Sequence, residues 1–263
     1  MIGNNDKILK ENIFVKSKDF IMIAGPCAVE SYEQLYDVAK VVKKSGANYL
    51  RGGAFKPRTS PYDFQGLGLD GLKILHEVGE KTALKTVSEV TSVKYLEQVL
   101  KYCDVIQVGS RNMQNYELLK EVGKAKKPVV LKRGMSSTIN EWLLAAEYIL
   151  SNGNYNVILC ERGIRTFEDS VRNTLDISAV PVVKSLSLLP IIVDPTHACG
   201  NKDYVESLSL AAVAVGADGL MLEVHTNPEK ARSDKKQQIN LEEYKRLVEK
   251  VKKIKMAMNK FDL

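Results

Sequence analysis

The chain has 263 residues, of which 44% are hydrophobic and 27% are charged. These proportions are typical of a globular protein and exclude a disordered chain, while the length suits one enzymatic barrel better than two domains. The formal net charge of +6 arises from 38 basic and 32 acidic residues, and the basic residues are scattered along the chain. We therefore expect no nucleic-acid partner, and we interpret the lysine-rich C-terminal pattern as the solvated face of a helix.

No apolar segment is long enough to span a bilayer, and the N-terminal residues MIGNNDKILKEN lack the apolar centre of a signal peptide. We therefore expect a cytoplasmic protein without a membrane partner. The four cysteines, at positions 27, 103, 160 and 199, include no Cys-x-x-Cys pair. This spacing argues against a structural zinc site or a disulfide framework and favours thiols, one of which could be a metal ligand.

The predicted elements start with an N-terminal extension over residues 1–19, in which residues 12–19 are expected to form a short strand or hairpin that covers the bottom of a barrel. Apolar, β-branched segments then predict eight strands near 20–25, 47–51, 84–88, 104–108, 128–132, 156–160, 189–193 and 218–223. Amphipathic patterns predict helices near 31–45, 69–81, 91–101, 114–123, 138–151, 168–178, 203–215 and 241–257. Because strands that alternate with helices form parallel sheets with right-handed crossovers, the predicted fold is α/β, a single (β/α)8 TIM barrel over residues 20–263.

A long connection over residues 52–68, with the sequence GGAFKPRTSPYDFQGLG, interrupts this alternation. Its two prolines and its lack of apolar periodicity exclude a regular element. Loops of this length in a compact domain are usually functional. Helix starts are indicated by Ser31 and by the Thr138/Glu141 pair, which has the spacing of a capping box.

Each predicted strand ends in a polar or charged cluster. The clusters are AGPC at 24–27, RGG at 51–53, SEV at 88–90, GSR at 109–111, LKRG at 131–134, ERG at 161–163, DPTH at 194–197 and EVH at 223–225. In a (β/α)8 barrel the carboxyl ends of the strands and the loops after them build the active site. The chain is therefore expected to be an enzyme whose reactive residues share one mouth.

Six basic residues lie at or just past predicted strand ends. They are Arg51, Lys56, Arg58, Arg111, Lys132 and Arg162. Each one alone could be a surface charge or a salt-bridge partner, but together they would repel one another unless an anion lay between them. Because arginine and lysine beside glycine supply the charged donors and exposed amides that phosphate and carboxylate need, we expect strongly anionic ligands with more than one phosphate.

A second set of strand-end residues offers one thiolate, one imidazole and two carboxylates. These residues are Cys27, His197, Glu223 and Asp234. Their separations are too long for a local motif, and each has an alternative role, as a small buried residue, a turn histidine, an ion-pair partner and a loop cap respectively. If the fold brings them together, their sulfur, nitrogen and oxygen atoms suit one divalent ion of Mn, Fe, Co or Zn without selecting among these metals.

Seven segments of the chain carry a family resemblance. They are IAGPCAVES at 23–31, RGGAFKPRTSPYDFQGLG at 51–68, QVGSRNMQN at 107–115, VLKRGMSSTINEWLLAAEYI at 130–149, ILCERGIRTFE at 158–168, IVDPTHACG at 192–200 and LMLEVHTNP at 220–228. Over nearly the whole chain they resemble the short, type I-beta 3-deoxy-D-arabino-heptulosonate 7-phosphate (DAHP) synthases, also called phospho-2-dehydro-3-deoxyheptonate aldolases. GPC and DPTH are shared with the related 3-deoxy-D-manno-octulosonate 8-phosphate synthases, whereas KPRTS at 56–60 is characteristic of the heptulosonate enzymes.

The resemblance implies condensation of phosphoenolpyruvate with erythrose 4-phosphate, the first step of the shikimate pathway, by a homotetramer or homodimer. It assigns phosphoenolpyruvate to Arg51, Lys132 and Arg162, and places Arg111 between the two substrates. It assigns erythrose 4-phosphate to Lys56, Pro57, Arg58 and Thr59. It makes Cys27, His197, Glu223 and Asp234 the ligands of one divalent metal, with Lys132, Cys27 and His197 catalytic.

Two alternatives stay open at this point. The first is an octulosonate phosphate synthase that uses arabinose 5-phosphate, which the 56–60 loop disfavours. The second is a non-catalytic phosphate-binding barrel, which would have no need of a group of metal ligands.

Overall fold

The structure, a computed structural model, describes residues 5–258. Eight parallel strands in sequence order form a closed barrel, in which the first strand pairs with the second and the eighth. The strands are β1 Ile21–Gly25, β2 Tyr49–Arg51, β3 Lys85–Val90, β4 Val105–Val108, β5 Val129–Lys132, β6 Val157–Glu161, β7 Ile191–Val193 and β8 Gly219–Glu223. The predicted (β/α)8 barrel is confirmed, with a strand at each of the eight predicted positions.

Helices surround the barrel. The α-helices of the described residues are α1 Asn5–Glu11, α2 Ile13–Ser17, α3 Tyr32–Ser45, α4 Leu69–Thr82, α5 Leu96–Tyr102, α6 Tyr116–Lys124, α7 Ile139–Leu150, α8 Ala179–Leu186, α9 Pro195–Cys199, α10 Lys202–Ala214 and α11 Leu241–Met258. Short 3-10 helices lie at Val93–Tyr95, Ser110–Asn112 and Pro228–Lys230. The Ser31 side chain caps α3, and Thr138 and Glu141 form the predicted capping box of α7. Within residues 5–258, no helix has both the length and the apolar composition needed to cross a membrane.

The core has two layers, as expected for a sheet that closes on itself. One layer lies between the strands and the surrounding helices, where Trp142 and Leu35 are fully buried. The other fills the barrel interior and includes Val130, Ile158 and Met221. The interior is filled with side chains and is not a pore. Because the strands are parallel, the polar residues at their carboxyl ends meet at one end of the barrel, its mouth.

The prediction of a strand or hairpin over residues 12–19 is wrong, because this segment contains the helix α2. Asn12 caps the helix by accepting hydrogen bonds from the backbone amides of Phe14 and Val15. Asn12 Nδ2 also donates to the Tyr155 carbonyl oxygen at 2.9 Å. Phe14 packs in the interior cluster at the amino ends of the strands. Residues 1–4 of the predicted 1–19 extension and residues 259–263 of the predicted 20–263 barrel lie outside the described residues.

The prediction of a helix over residues 168–178 is also wrong, since these residues form an irregular loop with a single bridge from Thr174 to Ile164, and α8 begins only at Ala179. Val171 and Leu175 pack against the core, which explains their helix-like apolar spacing. Their segment is held by backbone bonds to α9 instead, where the Arg172 amide donates to the Cys199 carbonyl oxygen at 3.0 Å. This loop therefore returns over the carboxyl end of the barrel.

Candidate active site

A cavity of about 160 Å³ opens at the carboxyl ends of the strands. All the predicted substrate-binding residues line it, namely Arg51, Lys56, Pro57, Arg58, Thr59, Arg111, Lys132 and Arg162. His197 and Asp234 line the same cavity. The structure thus brings the predicted basic residues together, although they lie on different strands and loops.

Three of the four predicted metal ligands form a compact group. One ligand atom each from Cys27, Glu223 and Asp234 lies within 4.8 Å of the others. His197 is adjacent, with Nε2 3.3 Å from Glu223 Oε1, but it is not in the mutually close set found among residues 5–258. Cys27 and Glu223 are fully buried, and Asp234 is partly exposed. A thiol, an imidazole and two carboxylates at these positions fit a divalent transition metal.

Each of the three grouped ligands contacts a basic side chain. Lys56 Nζ donates to Cys27 Sγ at 3.0 Å. Arg51 Nη1 donates to Glu223 Oε1 at 2.6 Å, and Arg58 Nη1 donates to Asp234 Oδ1 at 3.3 Å. The ligands are therefore held in a strongly cationic setting.

These surroundings shift the pKa values of Cys27 and Glu223 in opposite directions. Burial and the carboxylate of Glu223 raise the pKa of Cys27 to about 12. Burial alone would raise the pKa of Glu223, but His197 and Arg51 lower it below its ordinary value. The carboxylate is thus ionised without a metal, whereas the thiol needs a bound cation to lose its proton at neutral pH.

Asp194 links Lys132 to His197. Asp194 is fully buried, and its Oδ2 accepts a hydrogen bond from Lys132 Nζ and lies 2.6 Å from His197 Nδ1. Burial alone would raise the pKa of Asp194, but His197 and Lys132 hold it well below its ordinary value. The ionised Asp194 therefore orients the imidazole so that Nε2 faces Glu223, the arrangement that metal-binding histidines commonly have.

Arg162 and Arg111 differ from the other predicted basic residues because, within residues 5–258, their side chains donate only to carbonyl oxygens and not to a carboxylate or a thiol. Arg162 Nη2 donates to the His197 carbonyl oxygen at 3.2 Å, and Arg111 Nη1 donates to the Pro57 carbonyl oxygen at 3.4 Å. Burial lowers the pKa of Arg162, but an arginine side chain remains protonated in proteins. Their charges are thus not neutralised by a direct carboxylate contact, and this suits them to bind an anion.

Two backbone positions explain local features of the sequence. Gly25, at the end of β1, has a φ of 154°, and a Cβ atom there would lie 2.0 Å from the Arg51 carbonyl oxygen. Only glycine therefore lets β1 approach β2 so closely before Cys27. Asp234 has a φ of 45°, in the left-handed region that aspartate tolerates better than most residues, and this turn aims its carboxylate into the cavity.

Several residues of the site were not predicted from the sequence. Asp194 lies within the quoted DPTH motif, so its position at a strand end was the available signal. Arg172 falls within the predicted 168–178 helix, which does not form, and it lines the cavity with Nη1 3.6 Å from Asp234 Oδ2. Glu89 and Gln107 also line the cavity and are joined by a hydrogen bond of 2.9 Å. Their signal was likewise a strand end, since Glu89 lies in the SEV cluster.

The four cysteines are free thiols in this structure. Cys199 Sγ is 3.1 Å from the carbonyl oxygens of Pro195 and Asn201, to which it donates. Cys103 and Cys160 are buried in the core layers. Of the four, only Cys27 is in the group of candidate ligands found in the described residues.

Comparison with known proteins identifies the family. The model of the DAHP synthetase I family matches residues 6–260. The chain belongs to this family. It is 53% identical over 239 residues to the phospho-2-dehydro-3-deoxyheptonate aldolase of Thermotoga maritima. The aligned residues cover 91% of this chain and 71% of that protein. The resemblance inferred from the motifs is therefore confirmed, and so is the expectation of an enzyme.

Solved structures support the same assignment. A crystal structure of the Thermotoga maritima DAHP synthase matches with a TM-score of 0.90 at 52% identity, covering 92% of this chain and 71% of that one. A truncated form of the Thermotoga maritima synthase matches with a TM-score of 0.86 at 48% identity, covering 92% of this chain and 88% of that one. The 2-dehydro-3-deoxyphosphooctonate aldolase of Geobacter sulfurreducens is 30% identical over 90% of this chain and 93% of its own length.

Proposed function

We propose that this member of the DAHP synthetase I family condenses phosphoenolpyruvate with D-erythrose 4-phosphate and water to give DAHP and phosphate, the first step of the shikimate pathway. The observation that carries the proposal is one cavity whose wall combines the basic residues with His197 and Asp234, while Cys27 and Glu223 lie buried beside Asp234. Both substrates carry phosphate and repel each other, and a cationic cavity offsets this repulsion while it orients them. The 53% identical relative has the corresponding aldolase name.

We assign phosphoenolpyruvate to Arg51, Lys132 and Arg162, with Arg111 between the substrates. Arg162 supports this assignment because its direct contacts are carbonyl oxygens, which leave its charge available for an anion. Erythrose 4-phosphate is assigned to Lys56, Pro57, Arg58 and Thr59, which line the same cavity from the 52–68 loop.

We infer that Cys27, His197, Glu223 and Asp234 hold one divalent ion of Mn, Fe, Co or Zn. Bound there, the ion would polarise the aldehyde oxygen and stabilise the charge that develops on it. Asp194 keeps His197 in the orientation that this binding needs. The donor set fits such an ion, since it combines sulfur, nitrogen and oxygen atoms.

In the reaction, carbon 3 of phosphoenolpyruvate forms a bond to the aldehyde carbon, water adds to carbon 2, and phosphate leaves by carbon–oxygen cleavage. Lys132 Nζ contacts Asp194 and lies 3.4 Å from His197 Nδ1. We therefore assign to Lys132 the holding and transfer of a proton during water addition and phosphate release. Arg51, Arg162 and Arg111 keep the anionic groups in place as these bonds change.

Phosphate release tests the proposal. Purified protein is given phosphoenolpyruvate with either erythrose 4-phosphate or arabinose 5-phosphate, before and after removal of metal by a chelator. We expect release only with erythrose 4-phosphate and only with metal. Preference for arabinose 5-phosphate would favour the octulosonate reaction, and undiminished turnover without metal would overturn the metal assignment.

We propose that residues 20–263 form the catalytic barrel, with residues 1–19 as an extension. The homotetramer or homodimer and the cytoplasmic location stay predictions.

A further inference from the structure

One contact joins the tips of two loops at the mouth without using a proposed catalytic group. Arg232 lies in the 224–240 loop, which also carries Asp234, and its guanidinium carbon is 3.7 Å from the centroid of the Phe64 ring in the 52–68 loop. We propose that Phe64 and Arg232 form a clasp that positions the 52–68 loop for erythrose 4-phosphate. This inference rests on the proposed function and names two positioning residues for one of its substrates.

The tip of the 52–68 loop has few other anchors. Tyr62 is 96% exposed, and the Gln65 side chain donates to the Asp63 carbonyl oxygen at 2.9 Å within the loop itself. The Lys56 amide donates to the Gln65 carbonyl oxygen at 2.9 Å and closes the base of the tip. These internal bonds give the tip a shape, but they do not fix its position relative to the barrel.

Contacts to other loops must therefore fix that position. Arg58 Nη1 contacts Asp234 Oδ1 at 3.3 Å, and Arg111 contacts the Pro57 carbonyl oxygen at 3.4 Å. Under the proposed function, Arg58 turns to the sugar phosphate and Asp234 to the metal, so the Arg58–Asp234 contact competes with binding. The Phe64–Arg232 contact uses neither group and can persist while both ligands bind.

Arg232 also has a well-held backbone. Its amide donates to Glu30 Oε1 at 2.8 Å, in the loop after β1. The neighbours Ala231 and Ser233 are 0% and 3% exposed. The exposed guanidinium thus projects from a fixed base over the face of the ring, and this geometry is attractive because the ring face is electron-rich.

The test replaces each partner. Arg232→Ala removes the cation, and Phe64→Leu keeps an apolar side chain without the ring face. For an exposed cation–π contact we expect the KM for erythrose 4-phosphate to rise about two- to fivefold in either variant. The KM for phosphoenolpyruvate should not change, because its proposed residues lie outside both loop tips. The double variant should be no worse than either single one, since both remove the same contact.

Two controls separate the clasp from other effects. Lys235→Ala removes one positive charge from the same loop, and Lys235 has no ring contact in the part of the chain described. We expect it to leave both KM values unchanged, whereas Arg232→Lys should recover part of the loss in Arg232→Ala. A KM increase in Lys235→Ala equal to that in Arg232→Ala, or equal increases for both substrates, would overturn the clasp.

Hydrogen exchange gives a readout that does not depend on turnover. Without substrate, amides of residues 57–65 should exchange faster in Arg232→Ala and Phe64→Leu than in the unaltered protein or Lys235→Ala. Unchanged exchange would overturn the proposal. If the unaltered protein failed to turn over erythrose 4-phosphate, the proposed function would fail while the exchange rates still decided whether the clasp holds the loop.

Discussion

Cys27 shows how the reactivity of one residue depends on distant parts of the chain. It is fully buried, with Lys56 Nζ 3.0 Å from its sulfur and Glu223 and Asp234 beside it. Burial first, and then the carboxylate of Glu223, raises its pKa to about 12. A metal that bound there would have to displace this proton, so metal binding should weaken as pH falls.

Loss of a ligand should stop turnover without unfolding the barrel. Cys27→Ala or His197→Ala each removes one proposed ligand from the mouth, at the opposite end from Phe14. We expect loss of turnover and of bound metal, measured by assay and metal analysis, with a cooperative thermal transition retained. Cys103→Ala, at another buried cysteine, is the matched control and should keep both. Full activity in Cys27→Ala would contradict the ligand assignment.

The basic residues should divide between the two substrates. Arg162→Ala should chiefly raise the KM for phosphoenolpyruvate, whereas Arg58→Ala should chiefly raise the KM for erythrose 4-phosphate. Because each removes a charge-assisted contact worth about 1.5–3 kcal/mol, the increase should be roughly ten- to a hundredfold. Steady-state kinetics with each substrate varied in turn measures both values. Equal effects of one variant on both substrates would refute the division.

At the scale of elements, the barrel depends on side chains that join neighbouring strands. Asp104, just before β4, accepts hydrogen bonds at Oδ2 from the backbone amide of Thr86 at 2.8 Å and from its hydroxyl at 3.0 Å. Burial alone would raise the pKa of Asp104, but these bonds and Lys85 lower it below its ordinary value. Asp104 thus fastens β3 to β4 at the end of the barrel away from the mouth.

This carboxylate should contribute to stability in a pH-dependent way. Since its native pKa lies below the unfolded value, its contribution is present above about pH 4 and is lost as pH falls through the native pKa. Asp104 is partly exposed, so Asp104→Ala should lower the free energy of unfolding by only about 1 kcal/mol at pH 7. Urea unfolding at pH 7 and pH 3 should show the difference shrinking in acid. Asp70→Ala, at an exposed aspartate, should change stability little at either pH.

At the scale of the whole molecule, the barrel is closed at the end away from the mouth by α2. Phe14 is 5% exposed and packs in the interior cluster with Ile21 and Val105. Its ring centroid is 6.0 Å from that of Tyr49. The extension therefore adds apolar surface to the core without contributing to the mouth.

Removal of this side chain should lower stability and leave catalysis intact. Phe14→Ala leaves a cavity, so we expect the free energy of unfolding to fall by about 3 kcal/mol, with both KM values unchanged. Ile13→Ala, in the same helix but 47% exposed, should cost far less. Chemical denaturation with parallel kinetics provides the measurement. An unchanged unfolding curve for Phe14→Ala would show that α2 does not contribute to the stability of the barrel.

The sequence by itself determined the barrel and the position of its mouth. Apolar, β-branched segments recur at regular intervals, and their polar ends must converge in any closed parallel sheet. Arg51, Lys132 and Arg162 were therefore predictable as neighbours, although they lie far apart in the chain. The motifs, such as the KPRTS segment at 56–60, then indicated the family.

Only the tertiary structure decided how the segments 12–19 and 168–178 fold and which charges meet. Apolar spacing indicates that Val171 and Leu175 pack against the core, but a loop can bury them in part as well as a helix can when α9 accepts its backbone hydrogen bonds. The contacts of Arg51 with Glu223 and of Lys132 with Asp194 join residues 172 and 62 positions apart. No local pattern encodes such pairs, because their geometry depends on the register of neighbouring strands and on the paths of the loops that follow them.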